Sequence, residues 1–297
     1  MQDKKLTIKR IAIYTVLAYL PLYVWGAFCI KGEGEDLEVL SVTYGLMTMM
    51  FPTIAHILTR VITKEGFHNT YLGAGKKGSG KYYIASIGIP VAASLFGGVM
   101  IGAFTLKDWS LSQTIGSDGN WAMYLFTTGL IVSISTVVRG FGEEFGWRAY
   151  LTPKLEELMP TPWAVVVTGI IWSFWHAPFI VRGYNFGTNY SFYPYGGLAA
   201  MAVFCILTAA ILTWLTKKTN SVYPAAICHA FIDGLNVYCV NMFAAKSIEE
   251  KFEYKYNDFT TSCMLLAVYG VFGIAAFVFM KNRKDKMVEK AEPFAES

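Results

Sequence analysis

Charge is what this chain has least of. Only 15% of its 297 residues are Asp, Glu, Lys or Arg, against about a quarter in soluble domains, and the mean hydropathy is +0.40. That shortage excludes an ordinary soluble domain and makes this a membrane protein. Histidine is scarcer still, at four residues, and cysteine numbers five. Cys29, Cys205, Cys228, Cys239 and Cys263 all stand inside apolar runs, with no pair at metal-ligand spacing, so they are expected as small buried hydrophobes. Several catalytic signatures are missing as well. Without Gly-x-Ser-x-Gly or Gly-x-Gly-Asp, the serine and aspartyl types of membrane hydrolase are disfavoured. No His-Glu-x-x-His occurs, so a zinc site would need ligands from separate helices. The loop from Gly73 to Tyr82 has glycines and Lys81 at nearly phosphate-loop spacing. Tyr82, however, replaces the magnesium-binding Ser or Thr, and the chain has no room for the preceding strand. That loop is expected as a flexible basic segment, and neither a nucleotide nor a nucleic acid is expected as a partner.

What is present is apolar sequence in long stretches. Runs of about twenty residues, enough to cross a bilayer as helix, fall near 11–30, 38–62, 82–105, 121–142, 161–180, 195–216, 221–245 and 259–280. The predicted fold class is all-α, a single polytopic membrane domain over 1–297 with about eight transmembrane helices around a polar cavity. The first run follows a basic segment but lacks a small-x-small cleavage site, so it reads as an uncleaved span. Placing both termini in the cytoplasm puts nineteen Lys and Arg inside and six outside, the bias that sets orientation. Arg139, Arg148 and Lys154 are counted on the inner side. In a bacterium this would be a cell-membrane protein. The net charge of +4 is then a topology signal.

Against that background the few ionisable residues within apolar runs stand out, because such groups are costly in lipid and tend to be functional. The stretch Arg139-Gly-Phe-Gly-Glu-Glu-Phe-Gly-Trp-Arg148 places Glu143 and Glu144 side by side at the end of one run. Residues four apart share a helix face, so Glu144 can pair with Arg148. Glu143 is rotated about 100° away and is expected to face the cavity. His176 lies in Trp172-Ser-Phe-Trp-His-Ala-Pro178, with Trp172 one turn below it. His229, Asp233 and Asn236 follow at spacings of four and three, so they project to one side of another apolar helix. His56, alone in its run, is expected as a core histidine bonded to a neighbouring helix. A depth problem accompanies the set. If each helix starts at the bilayer surface, Glu143 is about 33 Å from the outer entry and His176 about 21 Å from the inner one. A shared site then requires one helix to tilt or to extend beyond the membrane.

Glu143-Glu144-x-x-x-Arg148, Trp172-x-x-x-His176 and His229-x-x-x-Asp233, in that order on separate membrane helices, resemble the signature of the CPBP family of intramembrane proteases. That family, often called Abi, groups CAAX prenyl endopeptidases with bacteriocin-processing and bacteriocin-immunity proteins. The resemblance covers about residues 120–245, which become the expected catalytic core. Two positions depart from the pattern: Trp172 stands where the family usually has Phe, and Asp233 where it often has Asn.

The resemblance implies an endopeptidase acting near or within the membrane on a peptide or prenylated protein. Glu143, with His176, would activate water. His229, with Asp233 or Asn236, would stabilise the oxyanion, and Glu144 with Arg148 would fix the geometry. No cofactor is required in that scheme; the alternative is a zinc ion held by His176, His229 and a glutamate. The functional alternative is a non-enzymatic binding or bacteriocin-immunity protein of the same fold. A proton or cation transporter is a weaker third, since no internal repeat of the kind common in transporters occurs.

Overall fold

A chain that enters hydrocarbon must satisfy its backbone N–H and C=O groups within itself, which is why the apolar runs become helices. The computed structural model describes residues 2–29, 47–105, 120–244 and 259–288, and among these there are helices and turns but no strand. In chain order the elements are α1 (Gln2–Cys29), α2 (Phe51–Ile62), α3 (Gly80–Thr105), α4 (Asn120–Ser135) and α5 (Val137–Gly146). A π turn (Trp147–Leu151) leads into α6 (Thr152–Glu156), followed by α7 (Thr161–Trp175), α8 (Ala177–Ile180), α9 (Tyr195–Thr219), α10 (Tyr223–Ala244) and α11 (Phe259–Val288). The stretches Lys4–Val24, Gly80–Phe104, Tyr195–Thr219 and Phe259–Met280 are long and apolar enough to cross a bilayer, whereas Phe51–Ile62, Phe126–Ser135 and Thr161–Trp175 are apolar but shorter. Among the described residues the architecture is all-helical, and four of the expected eight helices reach spanning length. The expected outer loops at 31–36 and 107–119, and part of the run at 38–62, lie outside the described residues.

Helix α10 is the centre of the bundle, packed on α3, α4, α5 and α9, while α9 in turn packs on α7 and α11. Small residues permit the close approach that substitutes for a hydrophobic drive in lipid. A Cβ added at Gly140 would stand 2.5 Å from the Ala226 carbonyl of α10, and one at Gly146 would stand 2.5 Å from the Pro52 carbonyl of α2. The glycines of the Arg139–Arg148 stretch thus let two helices close on α5 from different sides. That closure buries Glu143, Glu144 and Arg148 together.

From Asn120 to Glu156 the helices run on with only slight breaks. Thr136 marks the first, its hydroxyl donating to Ser133 O at 2.9 Å and Ala230 O at 3.3 Å. The π turn marks the second, with the Thr152 N–H donating five residues back to Trp147 O. These residues would span about 55 Å as uninterrupted α-helix, more than the roughly 30 Å of a hydrocarbon core. The extra length resolves the depth problem. Counted from the turn after Glu156, Glu143 lies about 20 Å along its rod; counted from Thr161, His176 lies about 22 Å along α7. Thr152 and Thr168, whose hydroxyls are 3.0 Å apart, tie the two lower ends together.

The same geometry corrects the charge count. Arg148 is fully buried within the helical rod, so it does not belong to a surface-facing basic segment, whereas Arg139 is half-buried. The Gly73–Tyr82 segment also differs from the flexible loop expected. The Lys76 N–H donates to Thr219 O at 3.1 Å and the Tyr83 hydroxyl to Ala74 O at 2.8 Å. The first anchors it to the end of α9, where Asn220 adopts a left-handed conformation (φ 57°), and the second to the start of α3. Of the cysteines with described side chains, Cys205 and Cys228 are buried and Cys263 is half-buried, all as free thiols.

His56 bridges helices as expected. Its Nδ1 bonds Phe145 O at 2.8 Å and its Nε2 accepts from Arg60 Nε at 2.6 Å. Nearby, Glu65 gathers the ends of three elements. Its carboxylate lies 2.6 Å from Lys154 Nζ, 3.4 Å from Arg10 Nε and 3.8 Å from Arg60 Nη1, and it accepts from the Tyr150 hydroxyl at 3.0 Å. Burial pushes its pKa up, but Lys154, Arg60 and Tyr150 together outweigh that and hold it below the ordinary 4.5. The folded carboxyl therefore gives up its proton at lower pH than the unfolded one. Its contribution to stability is complete above about 4.5 and is lost as pH falls through the folded value. Thermal unfolding in detergent should accordingly show Glu65→Gln less stable than wild type near neutrality, with the gap closing as pH falls below the ordinary carboxylate range. A gap independent of pH would contradict this role.

Candidate active site

The side chains of the site come from three places: the junction of α5 with the π turn, the top of α7, and the middle of α10. Glu143 is 2% exposed, and its Oε2 accepts two indole N–H groups, from Trp172 at 2.7 Å and from Trp147 at 3.1 Å. Trp147 follows Glu143 by four residues, the spacing that puts them on one face. Two donors on one oxygen satisfy a buried carboxylate on that side, and among the described residues Oε1 meets no donor.

Glu144, turned to the other side, is tied twice. Its Oε2 lies 2.9 Å from Arg148 Nε, with both side chains fully buried, and its Oε1 lies 2.8 Å from His229 Nδ1. The Arg148 guanidinium rests over the Trp172 ring, 4.3 Å from its centroid, and its Nη1 and Nη2 meet no acceptor among the described residues. Stacking on an indole face suits a delocalised cation. Trp172 is thus the common wall of the site, with His229 at 5.3 Å and His176 at 5.8 Å between ring centroids.

His176 is held by a local break in α7. Pro178 has no N–H to offer, and the carbonyls at the end of the helix find side-chain donors instead. The Tyr19 hydroxyl caps Ile171 O, the Tyr23 hydroxyl caps Phe174 O at 2.6 Å, and the His176 ring caps Trp172 O through Nδ1 at 2.9 Å. A carbonyl can only accept, so Nδ1 carries the proton and Nε2 holds the lone pair. His176 makes no hydrogen bond with Glu143; the two meet through Trp172.

On α10, His229 Nε2 stands 3.5 Å from Asp233 Oδ2, and the Asp233 side chain is 44% exposed. Contact at that length is an ion-pair approach rather than a hydrogen bond. Asn236 is placed differently. Its Oδ1 accepts from Ser94 of α3 at 2.7 Å and Tyr269 of α11 at 2.9 Å, which joins three helices two turns beyond His229. The structure therefore brings Glu143, Glu144, Arg148, Trp172 and His229 into direct contact, with His176 against Trp172, Asp233 at the exposed edge and Asn236 in a separate polar knot. Trp147 was not singled out from the sequence, although its spacing from Glu143 could have revealed it. Among the described residues, no three His, Cys, Asp or Glu side chains converge as a metal site requires, and His229 Nδ1 is engaged by Glu144.

Fold and site together define a helical membrane protein with a buried carboxylate and imidazole centre. Residues 124–235, which contain the whole cluster, match the family described as type II CAAX prenyl endopeptidase Rce1-like. The match covers less than half of the chain and agrees with the likeness of the three motifs to CAAX-type intramembrane proteases. No curated protein matches the chain.

Proposed function

We propose that the protein is an endopeptidase that hydrolyses a peptide bond of a membrane-associated, CAAX-type substrate, using water activated by Glu143. The observation that carries this reading is the Glu143 carboxylate, buried, fixed by two indole donors on one oxygen and, among the described residues, without a donor on the other. A group in that position removes a proton from water as the water oxygen adds to the scissile carbonyl carbon. The same proton then passes from Glu143 to the departing amine nitrogen as the C–N bond breaks. The oxyanion formed between these steps needs donors fixed in advance. His229 serves there by its Nε2 edge, the side facing exposed Asp233, while Glu144 and Arg148 hold the ring in place. His176 offers its Nε2 lone pair to the water or to the leaving group's proton. Asp233 orients His229 and borders the entrance.

A zinc ion would have to draw ligands from His176, His229 and a glutamate, and among the described residues these side chains do not converge as a metal site requires; His176 meets Glu143 only through Trp172. No step is routed through a metal. Wild-type protein in liposomes should cleave a farnesylated peptide carrying a C-terminal tripeptide, with mass spectrometry showing addition of one water at a single bond. Prior dialysis against EDTA and 1,10-phenanthroline should leave that rate within about twofold of the control. Loss of activity restored by zinc would transfer the reaction to the metal reading, and absence of any product would remove the peptidase reading. Both termini are placed in the cytoplasm in this proposal.

A further inference from the structure

A cavity of about 270 Å³ lies between the end of α2, the π turn with α6, and the residue that closes α9. It is separate from the catalytic cluster, since none of the residues lining it belongs to the peptidase scheme. Its walls carry charge. Arg60 and Lys154, only 4% and 9% exposed, line it together with Glu65 and Glu157. Glu65 faces three cations, Lys154 at 2.6 Å, Arg10 at 3.4 Å and Arg60 at 3.8 Å, while the more exposed Glu157 shares Lys154 at 2.7 Å. Three cations against two carboxylates leave one positive charge in excess, which is costly where water is partly excluded. Arg60 gives Nε to His56 and Nη1 to Gly66 O at 2.7 Å, and among the described residues its Nη2 bonds no acceptor.

The remaining wall is held in uncommon backbone. Asn69, Tyr71 and Asn220 line the cavity with φ of 54°, 58° and 57°, a left-handed region that bulky side chains adopt only at a cost and that clusters at ligand clamps. Two of the three are fixed there by backbone bonds: the Val222 N–H donates to Tyr71 O at 2.9 Å, and the Asn220 N–H to Thr216 O at 2.7 Å. His68, Asn69 and Asn220 are exposed and form the mouth. We propose that this cavity binds a phosphate group, borne by a lipid headgroup or free in solution. A guanidinium, an ammonium and the amides of two asparagines, drawn from four separate stretches of chain, suit a tetrahedral group with several acceptor oxygens better than a planar carboxylate. The place fits as well. Arg60 and Lys154 stand at the end of the bundle proposed as cytoplasmic, where basic pockets between membrane helices take headgroup phosphates.

The test uses the full chain in phosphatidylcholine nanodiscs and reads thermal unfolding against inorganic phosphate in solution or phosphatidic acid in the bilayer, with chloride at matched ionic strength as the control. Phosphate from at least one source should raise the unfolding temperature in a saturable way that chloride does not reproduce. A response to inorganic phosphate assigns the site to a free anion, and a response to phosphatidic acid alone assigns it to a headgroup. Arg60→Gln should weaken binding by about tenfold, the worth of one charge-assisted bond. Glu157→Gln removes a carboxylate from the wall and should tighten binding by about threefold. Asn220→Asp adds a carboxylate at the mouth in a residue type that tolerates the left-handed backbone, and should weaken binding by a similar factor. Arg60 also supports His56, so if Arg60→Gln fails to fold, the opposed shifts of Glu157→Gln and Asn220→Asp decide alone. Stabilisation matched by chloride, no response to either phosphate source, or an affinity unchanged in Glu157→Gln and Asn220→Asp would overturn the site. None of these readings involves peptide cleavage, so the peptidase proposal stands or falls apart from them.

Discussion

Glu143→Gln should lower kcat/KM for a prenylated peptide by about three orders of magnitude, or ~4 kcal/mol of transition-state stabilisation. The substitution separates chemistry from packing unusually well here. An amide oxygen can still accept from both Trp172 Nε1 and Trp147 Nε1, now at 2.7 and 3.1 Å from the carboxylate, so α5 and α7 should remain joined. What disappears is the capacity to hold water's proton. Thermal unfolding of Glu143→Gln should thus stay close to wild type while product formation falls to background. Retention of more than about a tenth of the wild-type rate would contradict a general-base role. Glu143→Asp is the companion measurement. It keeps the charge, withdraws the carboxylate by one methylene, and should lose activity because the indole donors and the reacting water can no longer be reached together.

How much of this was legible beforehand depends on the distance between the residues concerned. Glu144 with Arg148 and His229 with Asp233 are one turn apart on single helices, and periodicity alone proposes both approaches. The link between Glu144 and His229 spans 85 positions of sequence; only the rarity of ionisable groups in apolar runs hinted that they share a cavity. The shared depth of Glu143 and His176 could not be read from run lengths. Hydropathy places the end of that run near residue 142, whereas the helical rod continues through the buried Trp147–Leu151 turn to Glu156. The charge count misplaced Arg148 for the same reason, since a buried cation and a cytoplasmic one look alike in sequence. Glu65 had little local signal, since two of its three cations, Arg10 and Lys154, come from distant parts of the chain.

Trp172 shows how a departure from a family pattern can carry structure. Phe, usual at this position in the resembling family, would preserve an aromatic face under Arg148 and the contacts with both histidines. It would not supply the N–H that bonds Glu143. The indole therefore adds a second donor to the proposed base, beside Trp147, without disturbing the wall. Asp233 is the other departure, and its exposed carboxylate faces the one edge of His229 not already claimed by Glu144.

Arg148→Met should produce the largest loss of stability, about 3 to 5 kcal/mol, because removing one partner of a buried pair leaves the other uncompensated. Glu144 would keep only His229, and methionine's apolar stem would replace the cation over Trp172. Restoring charge without shape is not enough. Arg148→Lys offers a compact ammonium in place of a flat guanidinium, so it should recover only part of the deficit. The reciprocal change, Glu144→Gln, relieves the charge imbalance created by Arg148→Met, and the double variant should be more stable than the sum of the two singles implies. Unfolding free energies of the four proteins in one detergent give the coupling directly, expected at about 1 to 3 kcal/mol. Strict additivity would mean that Arg148 is held by Trp172 and its packing alone, and that the pair with Glu144 does not fix His229.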